Sequence, residues 1–115
     1  MPSVVRNMRT AFWILIIIFL AACQINTDEL SQEKKGKALA QKCITCHPKN
    51  SDFAQIRKFR SAEWIYAFVK NPSDFSTKNA EAKLLIDKWK PIVMTPFPNL
   101  SNKEIDLILN YYESN

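Results

Sequence analysis

The sequence predicts a small all-α domain, and three features carry that prediction. Residues 36–42 run as a short helix into Cys43-Ile44-Thr45-Cys46-His47. Residues 102–112 place Ile105, Ile108, Leu109 and Tyr112 at i, i+3, i+4 and i+7, one buried stripe of an amphipathic helix. Between them, apolar side chains recur at helical spacing in two further stretches, each closed by a proline, Pro72 and Pro91. At 115 residues and 47% hydrophobic, the chain is one domain with a modest core.

The five residues Cys43 to His47 read as C-x-x-C-H, the attachment sequence of a c-type haem. Two thiols must each reach one vinyl group of the same porphyrin and close a thioether bond. Two intervening residues put the sulfurs about one helical turn apart, on one side of the backbone. His47 follows directly, where an imidazole nitrogen can bind iron. A redox C-x-x-C disulfide would want a βαβ setting, which this chain lacks. A zinc site would want four ligands, and few others remain.

The elements follow in chain order. Residues 1–22 read as a targeting segment outside the fold, with Arg6 and Arg9 ahead of an apolar run from Ala11 to Leu20. That run is short for a membrane span, which needs about 20 apolar residues. Leu20-Ala21-Ala22-Cys23 looks like a bacterial lipobox, so Cys23 is expected to be acylated after cleavage; an uncleaved anchor is the alternative. Both place the domain outside the cytoplasm on a membrane, at the periplasmic face of the inner or outer one. Residues 23–30 then form a polar tether, and 31–115 the domain.

The first helix is expected over residues 29–41, with a weak apolar stripe. Pro48 stops the helical course after His47. Residues 49–60 read as a basic loop, with Phe53, Ile56 and Phe59 available to wrap the cofactor. Ser61 is a candidate N-cap for residues 62–70, whose Trp64, Ile65 and Phe68 face inward. Trp64 is a core aromatic or a donor to a haem propionate. Residues 77–90 are expected as a third helix, with Leu84, Leu85, Ile86 and Trp89 inward.

Ile92-Val93-Met94-Thr95-Pro96-Phe97-Pro98 is the expected distal loop. Met94 is the only methionine beyond the leader, because Met1 and Met8 fall within it. A thioether is a soft neutral ligand that suits haem iron opposite histidine. The bland alternative is a core-filling methionine. Pro91, Pro96 and Pro98 stiffen the segment. Ser101-x-x-Glu104 is a capping box for the last helix.

C-x-x-C-H, one methionine in a Pro-rich loop, and a closing helix ending in aromatics together resemble the class I c-type cytochromes, over nearly all of the chain beyond the leader. The resemblance implies about four helices wrapped around one covalent haem c. It also implies Cys43 and Cys46 as the haem-bearing thiols, His47 and Met94 as axial iron ligands, and a last helix crossing the first near Ile108 and Tyr111. Three positions depart from the usual pattern. The small residue for that crossing usually stands eight before the first cysteine, where Lys35 lies, with Gly36 one later. Leu39 stands where an aromatic is common. Met94-Thr95-Pro96 replaces Met-Pro.

The function implied is electron transfer with redox proteins at a membrane, not enzymatic catalysis. The alternatives are an open-site haem protein that binds gases or peroxide, and a fixed cytochrome subunit of a larger complex. Charge agrees with a mild docking role. The full chain carries 16 basic and 11 acidic side chains; without residues 1–22 there are 14 and 11, or +3. That argues against nucleic acid as a partner, for which a strongly basic face is expected, and allows a docking patch for an acidic redox partner.

Overall fold

A computed structural model describes the backbone of residues 3–114, and side chains for 12–18 and 27–114. It divides into two compact units, Met1–Lys34 and Lys35–Asn115. Helix α1 spans Ser3–Ile44, and its residues from Lys35 onward belong to the second unit. The chain was expected to turn helical at residue 29 and to stop at 41. Instead α1 begins far upstream and runs through Cys43, because no proline interrupts residues 3–44. The expected tether, residues 23–30, is therefore helical backbone.

In the first unit, Phe12, Trp13, Ile14, Leu15, Ile17 and Ile18 are all exposed. Among the described residues no helix is long and apolar enough to cross a membrane. The side chain of Cys23, and with it the expected lipidation site, lies outside the described residues.

In the second unit a 3-10 segment, Asp52–Lys58, occupies the stretch expected as a loop. It buries no residue completely, and Phe59 just beyond it is 68% exposed. Of the three expected wrapping residues, Phe53 and Ile56 pack against the core and Phe59 does not.

Helix α2 spans Ala62–Lys70, as expected, and Ser61 Oγ accepts the Trp64 N–H at 3.3 Å. Ile65 and Val69, four apart, are its buried face, while Trp64 and Phe68 stack on each other half-buried. Asn71 ends α2 and opens α3, Pro72–Lys78, by accepting the Asp74 N–H at 3.2 Å. Pro72 sits in the first turn, where its missing N–H costs nothing. The helix expected over 77–90 is broken at Asn79, which caps α4, Ala80–Trp89, by accepting the Ala82 N–H at 3.0 Å. The inward face is corrected accordingly. Ala82 is buried, Leu85 and Ile86 are half-buried, and Leu84 and Trp89 are 71% and 57% exposed.

Helix α5, Asn102–Glu113, carries the complete capping box: Ser101 Oγ accepts the Glu104 N–H and Glu104 accepts the Ser101 N–H. The expected stripe Ile105, Ile108, Leu109 and Tyr112 is buried, and with Ala40, Cys43, Ile65, Val69 and Leu100 it forms the core. Leu107 is buried as well, which a one-stripe pattern does not anticipate. The reason is the helix crossing. A Cβ on Gly36 would overlap the Leu107 carbonyl oxygen and stand 3.1 Å from its carbon. Gly36, not Lys35, is therefore the close-approach residue, and it meets Leu107, not Ile108 or Tyr111. Lys35 instead reaches Glu104 at 3.5 Å on the surface.

That contact carries a prediction. Gly36→Ala gains about 1 kcal/mol of helix propensity, but the clash is with backbone, which cannot swing aside. Overpacking of about 1–3 kcal/mol outweighs the gain. The melting temperature of the variant should fall by several degrees; an unchanged or raised one would show that α1 and α5 do not cross here.

Candidate functional site

The site begins where α1 ends. Cys43 lies in the last turn, 9% exposed and part of the core, while Cys46 is exposed in the turn that follows. The Cys43 carbonyl accepts both the Cys46 N–H at 3.2 Å and the His47 N–H at 2.8 Å. One carbonyl thus closes the whole C-x-x-C-H stretch into a compact turn, with Pro48 unable to extend it.

His47 is half-buried, and its ring stacks on Phe53 with centroids 4.8 Å apart and planes at 25°. Phe53 in turn meets the edge of Tyr112 at 4.7 Å. The Tyr112 hydroxyl donates to the His47 carbonyl at 2.5 Å. Burial, then the nearby Cys43 and Tyr111, push the Tyr112 phenol up to about 12, so it remains a donor at any physiological pH. Neither the Tyr112 bond nor the Phe53 stack is evident from the sequence, because both join residues distant along the chain.

The electrostatics suit metal and thioether chemistry. Burial holds the His47 imidazole below its ordinary pKa of 6.5, which favours the neutral ring with a free lone pair. Burial also pushes the Cys43 thiol up, with Cys46 adding to the rise and Lys42 opposing it. Among the described residues no group of three or more His, Cys, Asp or Glu could hold a metal ion without a cofactor.

Met94 arrives from the segment between α4 and α5, half-buried and packed against the core cluster that includes Cys43. That segment is tied down by the Phe97 N–H, which donates to the Val69 carbonyl at 3.0 Å, and by buried Leu100. A cavity of about 330 Å³ lies between the end of α1 and this segment, lined by Leu39, Lys42, Pro96, Phe97, Pro98 and Leu100 among others. Nearby in sequence, Ile92 and Val93 are 68% and 52% exposed. Half-buried Trp64 donates its indole N–H to Asn79 Oδ1 at 3.3 Å.

The donor set fits a covalently bound haem. Two thiols stand one turn apart, a neutral imidazole follows them directly, and a thioether packs on the same core. Such a set on an all-helical domain defines a haem-attachment protein. A family model for cytochrome c matches residues 33–115, and the chain belongs to that family. No curated protein and no solved structure matches it. The family binds haem c covalently and transfers electrons through it, which implies redox partner proteins; the all-helical architecture agrees.

Proposed function

We propose that this cytochrome c is a membrane-anchored, one-electron carrier whose iron is held by His47 and Met94. The observation that carries the reading is the Cys43–His47 turn: a buried thiol, an exposed thiol and a half-buried imidazole in one compact turn at the end of α1. Cys43 and Cys46 would hold the porphyrin, and the haem supplies an iron that cycles between ferric and ferrous forms. His47 would offer its imidazole lone pair to that iron. Met94 offers a soft thioether from a segment that three prolines stiffen, so little entropy is lost in holding it there. Two side-chain ligands would leave the iron no position for substrate, which supports carriage of electrons in place of catalysis. Burial of Cys43 and half-burial of His47 would lower the dielectric around such a group and so favour its less charged, reduced form.

Anchoring rests on Leu20-Ala21-Ala22-Cys23, preceded by the basic and apolar leader of residues 1–22. Acyl chains on Cys23 would hold the protein to a membrane outside the cytoplasm, with about 0.8 kcal/mol per buried methylene. Cys23→Ser should abolish incorporation of labelled fatty acid and leave haem attachment intact. Label persisting on that variant, or none on the wild type, overturns the anchor.

Electron carriage itself is tested by titrating the holoprotein with a reductant. One electron per chain, taken up and returned reversibly, is the expected result. Sustained turnover of peroxide by the wild-type holoprotein would contradict it.

A further inference from the structure

The 3-10 segment Asp52–Lys58 is fastened in an unusual way for a piece of chain that buries no residue completely. Arg57 spreads its guanidinium over α5. Nη1 donates to Asn110 Oδ1 at 2.7 Å and to Glu113 Oε2 at 2.9 Å, and Nη2 donates to Asp106 Oδ1 at 2.9 Å and its carbonyl at 3.4 Å. The Asp106 carboxylate is held from the other side by the Tyr66 hydroxyl of α2, at 2.8 and 2.9 Å from its two oxygens. A planar fork that engages three side chains of one helix is a geometric device, and a lysine would not reproduce it. The residue that this fastening delivers is Phe53, one turn earlier in the same segment, face to face with the His47 ring.

We infer that Phe53, fixed in place by Arg57, is the positioning residue that sets the plane of the His47 imidazole. The inference rests on His47 being an iron ligand. An imidazole can turn about its Cβ–Cγ bond and, once bound, about the metal–nitrogen axis. A ring stacked at 4.8 Å and 25° limits both rotations. Tyr112 completes the arrangement, with its edge against Phe53 and its hydroxyl on the His47 carbonyl. The imidazole plane determines how the ligand splits the iron d orbitals, and so bears on the magnetic signature and the potential of the site.

The test uses the holoprotein and its Phe53→Leu, Phe53→Tyr, Arg57→Met and Arg57→Lys variants. Low-temperature electron paramagnetic resonance of the ferric state reads the ligand plane directly, and a redox titration accompanies it. Phe53→Leu should displace the principal g values and shift the potential, while Phe53→Tyr, which keeps the ring, should match the wild type. Arg57→Met should move the g values in the same direction by less, and Arg57→Lys should recover only part of the difference. Spectra of Phe53→Leu and Arg57→Met that superimpose on the wild type would overturn the inference, even if their melting temperatures fall, since that outcome describes packing alone. Pulsed measurement of imidazole nitrogen couplings in the wild type separates the two layers, because the chain has one histidine. Absent couplings would remove His47 as ligand, and the positioning role with it. Present couplings beside a silent Phe53→Leu would remove the positioning role alone.

Discussion

Replacing Cys43 and Cys46 together with alanine is expected to leave a chain without covalent haem and without a cooperative native melt. Folded domains are stable by only about 5–15 kcal/mol. A domain of this size buries a small fraction of its surface compared with larger ones, and the cofactor would supply a large apolar body to that core. The substitution also removes protein packing directly, because Cys43 is itself a core side chain beside Ala40, Ile108 and Tyr112. Cys46 is exposed, so Cys46→Ala alone should cost little in packing and leave haem held by one thioether. Denaturing electrophoresis with haem stain, followed by a thermal melt, checks both parts. A sharp native-like transition in the haem-free double variant would contradict the account.

Met94→Ala is expected to lower the reduction potential and open one face of the iron. Axial ligands set haem potentials over a range of roughly 0.8 V, and loss of a thioether that favours ferrous iron should move the potential down by on the order of a tenth of a volt or more. Carbon monoxide and cyanide should then bind, and a weak peroxidase activity should appear. The fold should largely survive. Met94 is half-buried, so its truncation costs less than the about 2–5 kcal/mol of a fully buried methionine, and Phe97 and Leu100 still hold the segment to α2 and the core. Potential and ligand-binding spectra of the variant and wild type, measured side by side, decide the matter. If neither changes, Met94 is not a ligand.

What could be read from the sequence was whatever depends on local geometry. The C-x-x-C-H turn is closed by a single carbonyl, so spacing alone determines that Cys43, Cys46 and His47 share one helix end. The Ser101–Glu104 box and the Ser61 cap are likewise four-residue devices, and both form as expected. The stripe of α5 is legible because a periodic apolar face has only one way to be buried. Errors arose where a distant residue decides. Asn79 sits inside a pattern that continues helically on both sides, and its side chain caps α4 while also accepting from Trp64, which no local reading anticipates. Hydrophobicity alone points Leu84 and Trp89 inward, yet the small Ala82 is the buried residue of that helix. Leu107 is buried only because Gly36 lets another helix approach. Arg57 looked like one more surface charge in a basic loop, and its fork over α5 exists only in the folded chain. Met94 stands out by its uniqueness and its prolines, and it packs on the core cluster that contains Cys43.

The most direct test of the central claim is the visible spectrum of the purified holoprotein, recorded through a redox titration and again under carbon monoxide. Ligation by His47 and Met94 predicts the long-wavelength charge-transfer band of a sulfur–iron bond in the oxidised protein, a single one-electron step, and a reduced spectrum that carbon monoxide leaves unchanged. Absence of that band together with carbon monoxide binding to the wild type would contradict it, and would make the protein an open-site haem protein in place of an electron carrier.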